Sequence, residues 1–316
     1  MTLHILQTAP SPELARALAD FEAQFTYPLG PGQTFRISHG DDYPCFFRAQ
    51  GDGACFVLEN AGRVAGALGV AVRCLLLPDG KECTVAYVGD LKVDPAARRS
   101  LTYLRLAFAA HTWVGDRTEA GYGVVMDGTS VTPDAYTGQF GIPAARVLGQ
   151  LVIWQFHCLT AAPPADADRC LSTAGPVLAC YRDMSRGRYA AVGARPQERS
   201  EMPPTWLLHP DGLACGLVED TRRAKRLVAD SGEELRSAHL SFFAWRTPKA
   251  GRELIDAALN HAARWGHPAL FVAAARQDAL SFEAALGGLD RVEATATVYG
   301  SGLDDGSAWN INTAEI

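Results

Sequence analysis

The segment Ala86–Leu106 constrains this chain more than any other. It opens as an apolar run, Ala86-Tyr-Val-Gly-Asp-Leu-Lys-Val93, that reads as a strand. It stops hard at Pro95 and carries two adjacent cations, Arg98 and Arg99. It then resumes as a helix expected from about Arg98 to Val114, with Leu101, Leu104, Ala107, Phe108 and His111 along one face. A strand aimed at a helix N-terminus leaves backbone N–H groups without intrahelical partners and a positive dipole end at the junction. Cations in the connection reinforce it. Such a junction suits an anion, most often a phosphate.

The flanking sequence continues the mixed pattern. Leu3–Gln7 reads as a strand, and Ser11-Pro12-Glu13 as the capped start of a helix. Residues 35–50 read as irregular, with a turn at Gly40-Asp-Asp-Tyr43. Ala54–Glu59 and Val64–Leu77 form a strand pair about the turn Asn60-Ala-Gly-Arg63. Tyr122–Met126 is a short buried-type strand, Thr132–Phe140 a short helix or loop, and Arg146–Leu159 a long strand. A linker is expected at Ala161-Ala-Pro-Pro-Ala-Asp-Ala-Asp168.

Beyond that linker the order of elements repeats. Gly62 and Gly66 are matched by Gly212 and Gly216, and Leu104, Ala107 and His111 by Leu254, Ala257 and His261. Phe282 falls opposite Tyr136. Stable spacing of this kind argues for internal duplication. The second copy has no arginine pair, since Pro248-Lys249 stands where Arg98-Arg99 would fall.

Bulk properties exclude several classes. The 316 residues suit about two domains, and 48% apolar residues suffice for a core in each. A net charge of −6 argues against a dedicated nucleic-acid binder. Eight cysteines show no Cys-x-x-Cys pair and no zinc-type cluster with histidine, so no metal is expected. The N-terminal residues lack a basic segment followed by an apolar stretch, and no run reaches the roughly 18 apolar residues of a membrane span. A cytoplasmic, reduced protein without nucleic-acid or membrane partners is the expectation.

The order Leu91-x-Val93-x-Pro95-x-x-Arg98-Arg99, between a strand and a helix, resembles the acyl-CoA-binding motif of the GNAT family of N-acetyltransferases. The resemblance implies an α/β chain (an α+β mixed sheet) made of two tandem GNAT-like domains. Each would be a twisted mixed sheet flanked by helices, with residues 1–165 binding acyl-CoA and residues 166–316 a degenerate copy. The co-substrate would be acetyl-CoA or another acyl-CoA. Pantetheine would pair with Leu91, Lys92 and Val93, by strand addition. Its phosphates would meet Arg98, Arg99, Ser100, Leu101, Thr102 and Tyr103. Leu101 and Tyr103 depart from the family, which has small residues there.

Asp90 has two readings: a catalytic or acceptor-binding carboxylate beside the thioester, or a strand aspartate paired with Lys92 or an arginine. Tyr136 likewise reads as the acid for the leaving thiolate or as packing. Its string Tyr136-Thr-Gly-Gln-Phe-Gly141 is one residue longer than the family's. Asp41, Asp42, Tyr43 and Asp127 are weaker acceptor-side candidates. The expected activity is transfer of an acyl group to a primary amine of a small molecule. The alternative is a non-catalytic acyl-CoA-binding or regulatory protein on the same fold.

Overall fold

The computed structural model describes residues 1–30, 33–98, 100–158 and 167–316. Arg99 and the expected 165/166 division lie outside the described residues. The first half of the sequence runs β1 (Thr2–Leu6), α1 (Pro12–Glu22), β2 (Tyr27–Gly30), β3 (Gln33–Ser38), α2 (Cys45–Arg48), β4 (Asp52–Asn60), β5 (Arg63–Leu76), β6 (Glu82–Val93), α3 (Thr102–Val114), β7 (Gly121–Met126), α4 (Pro133–Tyr136) and β8 (Arg146–His157). The second runs α5 (Ala174–Met184), β9 (Arg188–Val192), α6 (Pro196–Arg199), β10 (Thr205–Leu208), β11 (Ala214–Glu219), β12 (Arg226–Ala229), β13 (Ala238–Trp245), α7 (Pro248–Arg264), β14 (Ala269–Ala275), α8 (Arg276–Phe282), β15 (Arg291–Ser301) and β16 (Ala308–Asn310).

Local chemistry explains the boundaries. Ser11 caps α1 by accepting from the Leu14 N–H, and Pro12 occupies the first helical position. Ala61 and Gly62 both take positive φ, as a two-residue hairpin turn between β4 and β5 requires. Residues 35–50 are more ordered than the sequence suggests. They contain β3 and α2, too short to carry a periodic signal. The helix expected from Arg98 begins only at Thr102, because Pro95–Ala97 first forms a separate 3-10 turn.

Strands from both halves of the sequence join one mixed sheet of thirteen strands, ordered β1-β4-β5-β6-β7-β15-β8-β14-β13-β11-β10 with β9 and β16 off that path. The central order β6-β7-β15-β8-β14-β13 reads the same from either end when β6, β7 and β8 are exchanged with β13, β14 and β15. Each late strand therefore pairs across the middle: β15 lies against β7, and β8 against β14. A second sheet, β12-β3-β2, adds cover near α1.

Helices cover both faces, which accounts for strands as uniformly apolar as β5. On one face Leu106, Ala110 and Val114 of α3 pack against Phe56, Leu68 and Val70. On the other, Leu18 and Phe21 of α1 and Phe47 of α2 pack against Cys55, Val57 and Ala71. Further along, α7 contributes Leu254 and Ile255 against Leu240 and Val272, while α5 contributes Val177 and Tyr181 against Leu217 and Phe242.

Candidate functional site

The parallel strands β6 and β7 pair only at Ala86–Gly121 and Tyr87–Tyr122. One residue further they still touch, since a β-carbon on Gly123 would stand 2.5 Å from the Val88 carbonyl oxygen. From Gly89 to Val93 on β6 and from Val124 to Met126 on β7 no pairing joins them, and the strands diverge into a V. On its far side β6 stays paired, with Lys92 opposite Ala67 and Val93 opposite Gly66. Backbone groups alternate in direction along a strand. The Asp94 N–H is donated back to the Ala65 carbonyl and the Lys92 carbonyl lies toward Gly66, so the groups of Leu91 and Val93 face the opening.

A bulge lies where the opening begins. The β5–β6 register shifts between Ala67 and Gly69, and Asp90 takes φ 55°. A bulge leaves its extra residue out of the ladder and re-aims the side chain. Aspartate tolerates this backbone region better than most residues.

The expected phosphate turn forms the mouth of the V. Asp94 ties down the start of the connection by accepting from the Ala96 N–H at 2.8 Å. Arg98 is exposed. The Ser100 N–H is spent on the Ala97 carbonyl, and the Thr102 N–H on Ser100 Oγ. That leaves Tyr103 and Leu104 as the helix donors without an intrahelical partner. Leu101 turns outward at 67% exposure, and buried Thr102 packs on Gly66. Tyr103 meets Tyr136 edge-on at 5.0 Å between ring centroids. Tyr136 therefore sits over the start of α3, and burial pushes its phenol up to about 12.

Beneath the bulge lies a charged cluster that the sequence revealed only in part. The Asp90 carboxylate accepts from Tyr43 Oη at 2.5 Å and lies 2.5 Å from Lys92 Nζ. Lys92 also reaches Glu22 at 3.3 Å. Glu22 in turn bonds His39 Nδ1 at 2.6 Å and accepts from the His39 N–H. Burial alone would raise the Asp90 carboxyl, but Lys92 and His39 outweigh it and hold it below the usual range. For Lys92, burial is outweighed by Asp90 and Glu22, and its ammonium is held firmly charged. Burial and Asp90 both push the Tyr43 phenol up, so it stays a donor.

Glu22, His39 and Asp90 place ligand atoms within 4.8 Å of one another, a spacing a metal would accept. The Lys92 ammonium already supplies the positive charge between two of them. The set therefore fits an ion-pair network better than a metal centre. Glu22 and His39 were missed by sequence reasoning. The available signal was an acid in the last turn of α1, where the helix dipole disfavours it. Of the weaker candidates, Tyr43 joins the cluster, Asp42 is paired with Arg48 at 2.7 Å, and Asp127 accepts from Thr297 Oγ1 at 2.8 Å. Asp41 is exposed.

Lys225 approaches from the second half. Its ammonium lies 4.8 Å from the Phe46 ring centroid and donates to the Ile316 main-chain oxygen. Burial drops its pKa to about 8, with Asp90 pulling the other way and Arg199 and Lys92 adding repulsion.

A matching V opens between β13 and β14, which pair only at Ala238–Leu270 and His239–Phe271. It has a matching bulge, where Phe242 takes φ 50°. Here the chain's own last residues occupy the opening. Asn312 Oδ1 accepts from the Phe242 N–H at 2.7 Å, and Thr313 Oγ1 bonds His239 and the Phe271 carbonyl. The phosphate turn has no counterpart, because Thr247 caps α7 two residues after β13 ends.

Neither a family model nor a curated protein matches the sequence. Solved structures do match in fold. Saccharomyces cerevisiae N-myristoyltransferase with bound myristoyl-CoA superposes at TM-score 0.63 with 11% identity, over 99% of this chain and 82% of that one. Two further structures of the same protein, one with myristoyl-CoA and one with myristoyl-CoA and inhibitors, give TM-scores of 0.61 at 10% identity. They cover 94% and 99% of this chain and 82% and 84% of theirs. The chain shares the fold of N-myristoyltransferase, a GNAT-like fold, over most of its length.

Proposed function

We propose that this protein transfers an acyl group from acyl-CoA to a primary amine, using the V between β6 and β7. The observation that carries this reading is the open strand edge ending at the Asp90 bulge on one side and at the α3 N-terminus on the other. Phosphates would sit at the mouth, near Arg98, Arg99, Ser100 and the N–H groups at the start of α3. Pantetheine would extend along Leu91, Lys92 and Val93. The thioester carbonyl would then lie at the bulge, where backbone N–H groups can stabilise a developing oxyanion.

In the reaction the amine nitrogen attacks the thioester carbon. The C–N bond forms, the C–S bond breaks and coenzyme A leaves as a thiolate. Asp90, held ionised by Lys92, orients the incoming ammonium. The ammonium passes one proton through water to solvent before it attacks and loses a second from the tetrahedral adduct, replacing the proton that Tyr136 gives to the thiolate. Tyr136, which lies against Tyr103 and also feels Tyr299, the β15 residue paired with Gly123 at the closed end of the V, is the proposed acid for the thiolate. The fold shared with an N-acyltransferase that binds myristoyl-CoA supports an acyl-CoA donor and an amine acceptor. That acceptor is to be sought among peptides as well as small amines.

We also read residues 1–165 as the acyl-CoA-binding unit and residues 166–316 as a copy that has lost its ligand. The filled second V and the missing phosphate turn support this division. A cytoplasmic location agrees with eight free thiols, and no described helix is long and apolar enough to cross a membrane.

The test is calorimetric titration with acetyl-CoA, together with thiol release in the presence of amino acids, polyamines, aminoglycosides and short peptides. One site per chain is expected, weakened about tenfold by Arg98→Ala through loss of a charge-assisted phosphate bond. Thioester binding with no turnover on any amine would favour the non-catalytic alternative.

A further inference from the structure

Two cysteines from facing elements meet in the second half of the sequence. In α5, Val177, Cys180, Tyr181 and Met184 fall at i, i+3, i+4 and i+7, the stripe a helix lays on a sheet. In β11 successive residues divide between two faces. Ala214 and Val218 join the α7 side, Cys215 and Leu217 the α5 side. The two thiols therefore face one another, and a hydrogen bond joins them. Each sulfur also has a main-chain neighbour: Cys180 Sγ lies 3.6 Å from the Gly212 carbonyl, and Cys215 Sγ lies 3.7 Å from the Phe242 carbonyl.

The pair is chemically unequal. Cys180 is half-buried and Cys215 fully buried, so a reagent from solvent meets Cys180 first. The hydrogen bond from Cys215 lowers the Cys180 thiol to about 7; burial and Asp183 oppose it, and Arg246 assists. Arg246 is held at this end of α5 by its ion pair with Asp183. The same thiol–thiol bond, with burial, pushes Cys215 up, so it keeps its proton. Among the described residues every other cysteine is raised as well, chiefly by burial. A thiolate formed near ambient pH, reachable and in contact with a protonated partner, is the arrangement of an attacking and a resolving cysteine.

We propose that Cys180 and Cys215 are a peroxide-responsive dithiol, closed to a disulfide by hydrogen peroxide and reopened by thiol reductants. The Cys180 thiolate attacks one oxygen of the peroxide and the O–O bond breaks. Sulfur is oxidised to a sulfenic acid, and the other oxygen leaves as hydroxide and takes a proton to become water. The Cys215 sulfur then gives up its proton and attacks the Cys180 sulfur. The S–S bond forms, the S–O bond breaks and a second water leaves. No residue of the V between β6 and β7 takes part, so this chemistry stands apart from acyl transfer.

The full chain, reduced and then freed of reductant, is to be treated with hydrogen peroxide at neutral pH, alkylated under denaturing conditions and weighed. Two of the eight thiols should become unreactive, fragment masses should join Cys180 to Cys215, and dithiothreitol should restore both. On the native protein, iodoacetamide should label Cys180 about tenfold faster than Cys74 or Cys83 at neutral pH. Cys215→Ser should form no cross-link and should leave Cys180 as a sulfenic acid that dimedone traps. Eight thiols still reactive after peroxide, cross-links between other cysteines, or a dimedone adduct equally abundant in the wild type would each overturn the proposal. The wild-type masses decide the matter even if Cys215→Ser does not fold.

Discussion

Asp90 combines a left-handed backbone with a buried carboxylate. The two demands can be separated by Asp90→Asn, since asparagine accepts positive φ as readily. The variant should fold and lose about 1–3 kcal/mol in urea denaturation, the range for a compromised buried hydrogen bond. Turnover on a verified acceptor should drop, because the ammonium loses its counter-charge. An Asn variant as stable and as active as the parent would sink the electrostatic role. Tyr136→Phe probes the proton donor. The ring still packs on Tyr103, so acyl-CoA affinity should hold while turnover falls roughly 10²-fold, the low end of general acid catalysis. Undiminished turnover would hand that role to another group. At this scale the sequence offered Asp90 and Lys92 as candidates because both lie in one motif, and Tyr136 because of its own string Tyr136-Thr-Gly-Gln-Phe-Gly141. Glu22 and His39 belong to distant segments, and their only local trace was an acid at an unfavourable helix end.

Elements were easier to foresee than their ends or their strain. The strand-turn-helix order around Pro95 was legible because the hydrophobic period changes there from two to 3.6. The helix start was not, since a 3-10 turn at Pro95–Ala97 has the same composition as a first helical turn. The two bulges left no glycine to mark them: Asp90 and Phe242 carry the positive φ instead. The short sheet of β2, β3 and β12 arises from pairing between distant segments and has too few residues to announce itself. The repeat was legible as two stable offsets, but the filling of the second V was not, because Asn312 and Thr313 act through a few side-chain bonds. Asn312→Ala should therefore leave the buried Phe242 N–H without its partner and cost about 1–3 kcal/mol. Calorimetry on that variant should still find one acyl-CoA site. A second site appearing would mean that side-chain contact alone keeps the other V closed.

At the scale of the molecule, one carboxylate ties the sequence halves together. Glu315 is buried and bonds Arg73 at 2.9 Å and Arg199 at 3.2 Å, and Arg199 also pairs with Glu219 at 2.7 Å. Burial would raise the Glu315 carboxyl, but the two guanidiniums hold it near 2, below its ordinary 4.5. Its contribution is then complete above about pH 4.5 and is lost as the pH falls toward 2. Glu315→Gln should lower stability at neutral pH by several kcal/mol, as for a broken buried pair. It should also flatten the loss of stability between pH 4.5 and 2. An acid limb of unchanged slope, followed by urea melts at stepped pH, would place the linkage elsewhere. The middle of the sheet has a different consequence, one of timing. Both edges of β8 are occupied by strands made later, β14 and β15. The roughly 140 residues that separate His157 from Ser301 take about 7–30 s to leave a ribosome. Until β14 is made the nascent chain carries a twelve-residue, largely apolar strand with two bare edges, and until β15 follows it keeps one of them bare. Pulse-labelled chains stalled after residue 165 should accordingly be captured by chaperones or digested at β8, and protection should arrive only once β15 has been made.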